Sequence, residues 1–159
     1  MPERIRLEIA PMNQQEWPWL LGRSVETGWE QISPVLRPGA SREATATQIQ
    51  RMLRMALSAP GTAALVARSG GAPVGYIVVA VTPDELTGAS VGLFLDIFVE
   101  PAWRGKGVSS RLTAAGEEHC RALGLTAVRR FISAHNAASL RHARGDGCEL
   151  ERYALLKRL

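Results

Sequence analysis

One stretch of the sequence, residues 91–116, most limits the folds that this chain can adopt. It begins with an apolar run at 92–99 whose composition favours a buried β-strand, and Pro101 ends that strand because proline cannot donate to a sheet ladder. Two glycines and two cations follow directly, and apolar residues then recur at helical spacing until Gly124. The stretch therefore predicts a strand, a glycine-rich turn and a helix.

The turn has the chemistry of a phosphate-binding site. Gly105 and Gly107 allow the backbone to approach a ligand closely, and the free amides of the following helix point towards that ligand. Arg104 and Lys106 add positive charge. The spacing fits neither the GxGxxG fingerprint nor the P-loop, so both nucleotide motifs are excluded. An ordinary glycine-rich turn with solvated cations is the alternative.

The segment 99–109 resembles the acetyl-CoA-binding core of the GNAT superfamily of N-acetyltransferases. The family pattern is Arg or Gln, two residues, Gly, one residue, and Gly or Ala, after a strand that often ends in Val-x-Pro; this chain departs from it only at Ser109. The resemblance implies an α/β class (α+β in some schemes), with the GNAT acyl-CoA N-acyltransferase fold and a mixed central sheet flanked by helices. It also implies that the central strand carries a bulge and separates from the next strand to admit the pantetheine arm.

The same resemblance implies acetyl-CoA as cosubstrate and a set of residues that bind it. Backbone groups of the central strand would contact the pantetheine arm, the turn and the start of the helix would bind the pyrophosphate, and an Asn after the next strand would also contact the arm. These candidates are Ile97, Phe98, Val99, Arg104, Gly105, Lys106, Gly107, Val108, Ser109, Ser110, Asn136 and Ser139.

Length and composition predict one soluble domain, 1–159, because 159 residues can bury a self-sufficient core. The formal charge is +4, but the cations are spread out, so no nucleic-acid partner is predicted. The two cysteines lack the spacing of a metal site, and no metal is expected. Neither a signal segment nor a membrane-spanning run is apparent, so we expect a cytoplasmic protein without a membrane partner.

The remaining pattern predicts the element order β, α, α, β, β, β, α, β, α, β, which is that of a GNAT domain. Before the central strand we expect a strand at 4–9, helices at 13–29 and 41–58, and hairpin strands at 63–68 and 74–81 joined through two glycines. After the central helix we expect a strand at 126–133, a helix at 136–145 and a last strand at 148–156.

Asp96 is the candidate base that deprotonates an acceptor amine. It is the only acidic residue inside the central strand, and alternation places it on the face of Phe94 and Phe98, opposite Leu95 and Ile97. A carboxylate there is either partly buried with a raised pKa, as a base requires, or paired with an arginine in a structural ion pair.

The usual general acid of the family is missing. Many members place a Tyr in the helix after the Asn, and by register from Asn136 that position is Ala143. Tyr153, on the predicted last strand, is the candidate substitute, with His142 and Ser139 as further choices; a half-buried core role is the alternative for Tyr153. Water could also suffice, since a thiolate is a stable leaving group. For Asn136 the alternative is a helix N-cap.

The resemblance thus implies an acetyl-CoA-dependent N-acetyltransferase that transfers acetyl directly, in a ternary complex, to a primary amine of a small molecule, with a homodimer as one possible assembly. Trp17, Trp19 and Trp29 of the first helix could line the acceptor pocket, with core packing as the alternative for at least two of them. Two other functions remain open: an acyl-CoA-binding sensor or interaction module without efficient transfer, and an acyltransferase for protein N-termini or longer acyl chains.

Overall fold

The computed structural model describes residues 6–159, and its elements follow the predicted order up to the last strand. The strands are β1 (Glu8–Pro11), β2 (Ala63–Ser69), β3 (Ala72–Pro83), β4 (Ser90–Val99) and β5 (Val128–Arg130). The longer helices are α1 (Trp17–Gln31), α2 (Arg42–Ser58), α3 (Val108–Ala122) and α4 (Ala137–Gly145). The strand expected at 4–9 lies partly outside the described residues.

The five strands form one mixed sheet in the order β1-β2-β3-β4-β5. Neighbours are antiparallel except β4 and β5, which are parallel and are connected by α3. The predicted hairpin between β2 and β3 is confirmed: Gly70 and Gly71 have φ of 57° and 83°, the left-handed conformation that a two-residue turn requires. β1 is an edge strand and extends to Pro11. Proline has no backbone N–H to donate, but at this edge position no hydrogen bond between strands is lost.

Each face of the sheet buries its own apolar core. The core on the α3 face contains, among others, Ile77, Val79, Phe94, Leu112 and Cys120. The core on the α1–α2 face contains Leu20, Leu53, Ala64, Val66, Tyr76, Val78 and Phe98. Helix α2, expected from residue 41, is capped by Ser41, whose Oγ accepts a hydrogen bond from the Ala44 amide at 3.0 Å.

A β-bulge in β4 reverses the alternation of its side chains. Val78 pairs with Asp96 whereas Val79 pairs with Phe94, so Leu95 has no partner in β3. As a result Phe94 packs on the α3 face, while Leu95 packs with the core on the α1–α2 face. The bulge implied by the resemblance is confirmed, but the prediction that Asp96 shares a face with Phe94, opposite Leu95, is wrong.

The strand after α3 is shorter than predicted. Only β5 pairs with β4, and it does so over Gly92–Phe94 alone, so within residues 6–159 no strand covers this edge of β4 beyond Phe94. The last strand predicted at 148–156 is wrong, because residues 148–159 contain no regular secondary structure. Side chains hold this segment instead: Arg129 of β5 donates to Glu151 at 2.7 and 2.8 Å, and Arg152 donates to Asp84 at 2.9 Å. An alternating pattern favours a strand, but a strand also needs a backbone partner.

Within the described residues, 6–159, no helix combines the length and the apolar character needed to cross a membrane.

Candidate active site

The glycine-rich turn forms an open cradle at the start of α3. Gly105 and Gly107 have φ of 72° and 77°, and a Cβ at either position would meet nothing within 4 Å. Gly107 is the N-cap of α3 and offers no side-chain acceptor. In the part of the chain described, the amides of Val108, Ser109 and Ser110 also have no backbone acceptor. The first hydrogen bond of the helix is donated by the amide of Arg111 to the carbonyl of Gly107. This arrangement fits a phosphate group.

The two cations of the turn stay close to it. The guanidinium of Arg104 donates from Nε to the Val99 carbonyl at 3.1 Å, and the Lys106 ammonium lies 5.2 Å from the centre of the Trp103 ring. Both side chains belong to exposed residues, so their remaining donors face solvent. The side chain of Val108 is instead buried in the core on the α3 face, so its predicted contact with CoA can involve only its backbone.

A hydrogen bond joins the start of α3 to α4. Ser109 Oγ lies 2.7 Å from Nε2 of His142, and the same nitrogen is 3.2 Å from Oδ2 of Asp146. His142, one of the alternative acids, is therefore placed beside the phosphate cradle. Ala143, at the family position of the Tyr, is buried.

Asn136 acts as the N-cap of α4, which was the alternative for this residue. Its Oδ1 accepts from the Ser139 amide at 3.1 Å, and its Nδ2 donates to Oε1 of Gln31 at 3.2 Å. Both ends of the amide are therefore engaged within the chain. The contact of Asn136 and Ser139 with CoA stays a prediction.

Asp96 is held at the bulge by two hydroxyl groups. Its Oδ2 accepts from Ser24 Oγ at 2.6 Å and from the Tyr76 hydroxyl at 2.9 Å. Burial raises the pKa of Asp96, and the hydrogen bonds from Ser24, Tyr76 and the Ile97 amide oppose part of that increase. No ion pair involves Asp96 in the described chain, so the alternative of a structural pair with arginine is not realised.

The second oxygen of Asp96 receives no side-chain hydrogen bond from residues 6–159. This atom, Oδ1, is not among the buried polar atoms that lack a partner. Asp96 itself is half-buried. The two hydroxyls therefore fix Oδ2, and the Ile97 amide also contributes a hydrogen bond to the carboxylate.

An aromatic cluster supports this carboxylate. The ring of Tyr76 lies 5.6 Å from Trp19 and 5.7 Å from Phe98, measured between centroids. Burial and the charge of Asp96 raise the pKa of Tyr76, so its hydroxyl stays protonated and donates. The side chains of Ile97 and Val99 pack on the opposite core, as expected for residues whose predicted role involves the backbone.

Glu100 fixes α1 against the end of β4. Its Oε1 accepts from Trp19 Nε1 and from Arg23 Nε, both at 2.8 Å. Because Ser24 follows Arg23 on α1, this clamp sets the distance between Ser24 and Asp96. The sequence pattern missed Ser24, Tyr76 and this clamp, and the only signal near them was a Gly-aromatic pair at 75–76 that matches the family pattern.

Several predicted residues lie apart from this cluster. Tyr153 is 80% exposed in the segment that forms no strand, so the half-buried core role is wrong; its role as acid stays a prediction. Trp17 and Trp19 pack on the core, whereas the Trp29 ring is covered by the guanidinium groups of Arg37 and Arg42 at 5.1 and 4.6 Å. Among residues 6–159, no group of three or more His, Cys, Asp or Glu side chains could hold a metal ion.

Comparison with known proteins identifies the family to which this chain belongs. The model of the acetyltransferase (GNAT) family matches residues 28–147. The chain therefore belongs to the GNAT acetyltransferase family. None of the curated proteins compared with the chain matches it in sequence.

Solved structures share the fold at low identity. A Pyrococcus furiosus protein assigned to the acetyl transferases superposes with a TM-score of 0.81 at 17% identity, over 97% of this chain and 100% of that one. Aminoglycoside N-acetyltransferase AAC(6')-Iy in complex with CoA gives 0.72 at 22% identity, over 100% and 98%. Aminoglycoside 6'-N-acetyltransferase AAC(6')-Ih from Acinetobacter baumannii gives 0.71 at 16% identity, over 97% and 99%.

Proposed function

We propose that this chain is an acetyl-CoA-dependent N-acetyltransferase that transfers acetyl directly to a primary amine of a small molecule. The observation that carries the proposal is the state of Asp96 at the bulge of β4, where two hydroxyls hold Oδ2 and no side chain of residues 6–159 donates to Oδ1. Family membership supports the reaction type. The names of two neighbours, which are aminoglycoside N-acetyltransferases, support a small-molecule amine as acceptor.

The donor would bind at the cradle and along β4. When bound, acetyl-CoA supplies an acetyl group that is activated as a thioester. The free amides of Val108, Ser109 and Ser110, with the charges of Arg104 and Lys106, would hold its phosphates.

The backbone of Ile97, Phe98 and Val99 lies on the edge of β4 that β5 leaves without a neighbour. A backbone amide on this edge would polarise the acetyl carbonyl. Together with the phosphate contacts of the turn, these groups would place the donor beside Asp96, so that positioning supplies much of the rate enhancement.

Asp96 would take up the proton that the amine must lose before it attacks. Oδ1 is the accepting atom, because Oδ2 already receives two hydrogen bonds. Ser24 and Tyr76 orient the carboxylate and keep part of it ionised against the cost of burial. Both are positioning residues, since they act through Asp96.

A thiol-release assay over a panel of primary amines tests the proposal. The panel contains aminoglycosides, polyamines, amino sugars and peptides with free N-termini, and each is assayed with the wild-type protein, Asp96→Asn and Glu118→Gln. The last variant is a matched control, because Glu118 is an exposed carboxylate on α3. We expect release with a small-molecule amine, a loss of about 10²- to 10⁴-fold in kcat for Asp96→Asn, and no loss for the control.

Two outcomes would overturn it. If the chain binds acetyl-CoA but no amine of the panel causes release of the CoA thiol, the chain is an acyl-CoA-binding module and the proposed transfer is refuted. Wild-type rates for Asp96→Asn across the pH range would remove Asp96 from the mechanism.

A further inference from the structure

Two departures from the family pattern lie next to each other in the structure. Ser109 stands where the pattern has Gly or Ala, and Ala143 stands where many members have Tyr. His142 directly precedes Ala143 on α4, and its Nε2 lies 2.7 Å from Ser109 Oγ. The hydroxyl that distinguishes this turn from the family pattern therefore has a partner of its own, on another helix.

The same imidazole nitrogen contacts a carboxylate. Nε2 of His142 is 3.2 Å from Oδ2 of Asp146, the residue that ends α4. Nη1 of Arg130 donates to that oxygen, also at 3.2 Å, and only 8% of the Arg130 side chain is exposed. Asp146 is therefore held in place from β5 and is a fixed neighbour of His142.

This carboxylate decides which nitrogen of His142 carries the proton. A carboxylate only accepts hydrogen bonds, so the nitrogen beside it is the donor, and we assign the N–H of neutral His142 to Nε2 from this network. Nε2–H faces two oxygens, and the shorter contact is the one to Ser109 Oγ. The Ser109 hydroxyl therefore accepts from His142 and does not donate to it.

The hydrogen of the Ser109 hydroxyl then has no acceptor within residues 6–159. Ser109 Oγ makes no second hydrogen bond there, whereas the hydroxyls of Thr27 and Thr113 donate to helix carbonyls. Ser109 is the second residue of α3. Because Cβ of a helical residue tilts towards the helix N-terminus, its hydroxyl lies at the level of the free amides of the phosphate cradle.

We propose that His142, fixed by Asp146, orients the Ser109 hydroxyl so that it donates a hydrogen bond to a phosphate of acetyl-CoA. Ser109 contacts the ligand, whereas His142 and Asp146 are positioning residues that act through Ser109. The inference rests on the proposed function, because it adds a contact to the binding of acetyl-CoA. A donor that is already oriented loses little freedom when the ligand binds, so the contact increases affinity.

The tautomer of His142 tests this orientation without any ligand. Long-range ¹H–¹⁵N NMR spectra of the free protein are recorded at about pH 8, where histidine is ordinarily neutral. His142→Gln identifies the signals of this ring among those of the three histidines. We expect the Nε2–H tautomer. The Nδ1–H tautomer would overturn the proposal, because Ser109 would then donate to His142.

A double-mutant cycle, measured by titration calorimetry with acetyl-CoA, tests the contact itself. Ser109→Ala introduces a residue that the family pattern allows and should weaken binding about tenfold. His142→Ala should weaken binding about fivefold in the wild-type background but not in the Ser109→Ala background, because His142 acts only through the hydroxyl. His142→Gln keeps an N–H donor in place of Nε2 and should restore most of the affinity.

Matched variants separate the contact from general effects on the fold. Ser58→Ala removes an exposed hydroxyl on α2, and His119→Ala removes an imidazole that bonds to the Gly61 carbonyl. Both should leave the affinity for acetyl-CoA unchanged.

The outcomes distinguish this inference from the proposed function. Wild-type affinity in Ser109→Ala, or an equal loss for His142→Ala in both backgrounds, would overturn the orientation of Ser109 by His142 and leave the proposed acetyl transfer intact. Absence of acetyl-CoA binding by the wild type would refute the proposed function, and this contact with it.

Discussion

Removal of the Ser24 hydroxyl should move the acid limb of the pH profile of this protein to higher pH. Ser24 Oγ donates to Oδ2 of Asp96 at 2.6 Å, a hydrogen bond to an ionised group. Such bonds contribute about 1.5 to 3 kcal/mol, and water can replace part of the loss at a half-buried carboxylate, so we take the lower end. About 1.4 kcal/mol corresponds to a tenfold change in the proton affinity of Asp96.

The assay is kcat/KM against pH with the best amine of the panel, for the wild type, Ser24→Ala and Thr27→Ala. The Thr27 hydroxyl lies one turn further along α1 but bonds to helix carbonyls, so its removal is the matched control. On the acid limb we expect Ser24→Ala to be about tenfold slower than the wild type, with equal rates on the plateau. An unchanged profile, or a loss that is uniform with pH, would refute the role of Asp96 as the base and of Ser24 in positioning it.

Three further predictions concern stability and binding. Burial raises the pKa of Asp96, so ionisation of this carboxyl lowers the stability of the folded protein as pH rises. Asp96→Asn cannot ionise, and its Tm should therefore be higher than that of the wild type at pH 7 but not near pH 4. A lower Tm of the variant at pH 7 would contradict a buried charge at this position. Gly107→Val should weaken acetyl-CoA binding at least about tenfold, because φ is 77° at this position and the added side chain enters the cradle. The control is Gly88→Val, which introduces the same side chain at a φ of 70° in a distant loop and should leave acetyl-CoA affinity unchanged. Titration calorimetry compares the affinities of the two variants. Hydrogen bonds from Arg129 lower the pKa of Glu151, so this ion pair stabilises the C-terminal segment at pH values above the usual carboxylate pKa and is lost as pH falls through the lowered pKa. NMR signals of residues 148–159 should therefore sharpen in acid as the segment detaches. Unchanged signals at about pH 2 would exclude this anchor.

Local signals in the sequence predicted most of the fold. The turn at Gly70-Gly71, the N-cap at Ser41 and the cradle at Gly105 and Gly107 each depend on a few adjacent residues and on backbone conformations that those residues favour. Such features are encoded where they occur, so they can be read without knowledge of the tertiary structure.

Features that require distant residues were missed or wrong. The bulge at Leu95 moved Phe94 to the other face of the sheet, and simple alternation cannot show an inserted residue. The contact of Ser24 with Asp96 joins residues 72 positions apart, and only the packing of α1 on β4 creates it. The predicted strand at 148–156 failed because its pattern is compatible with a strand but no neighbouring strand within the chain completes it.

Titration calorimetry of the full chain with acetyl-CoA is the most direct test of the site as a whole. The cradle at the start of α3 and the open edge of β4 predict binding of one acetyl-CoA per chain, with unchanged affinity in Asp96→Asn and strongly reduced affinity in Gly107→Val. Absence of binding by the wild type would contradict the assignment of the cradle to phosphate, and the proposed acetyl transfer would fall with it.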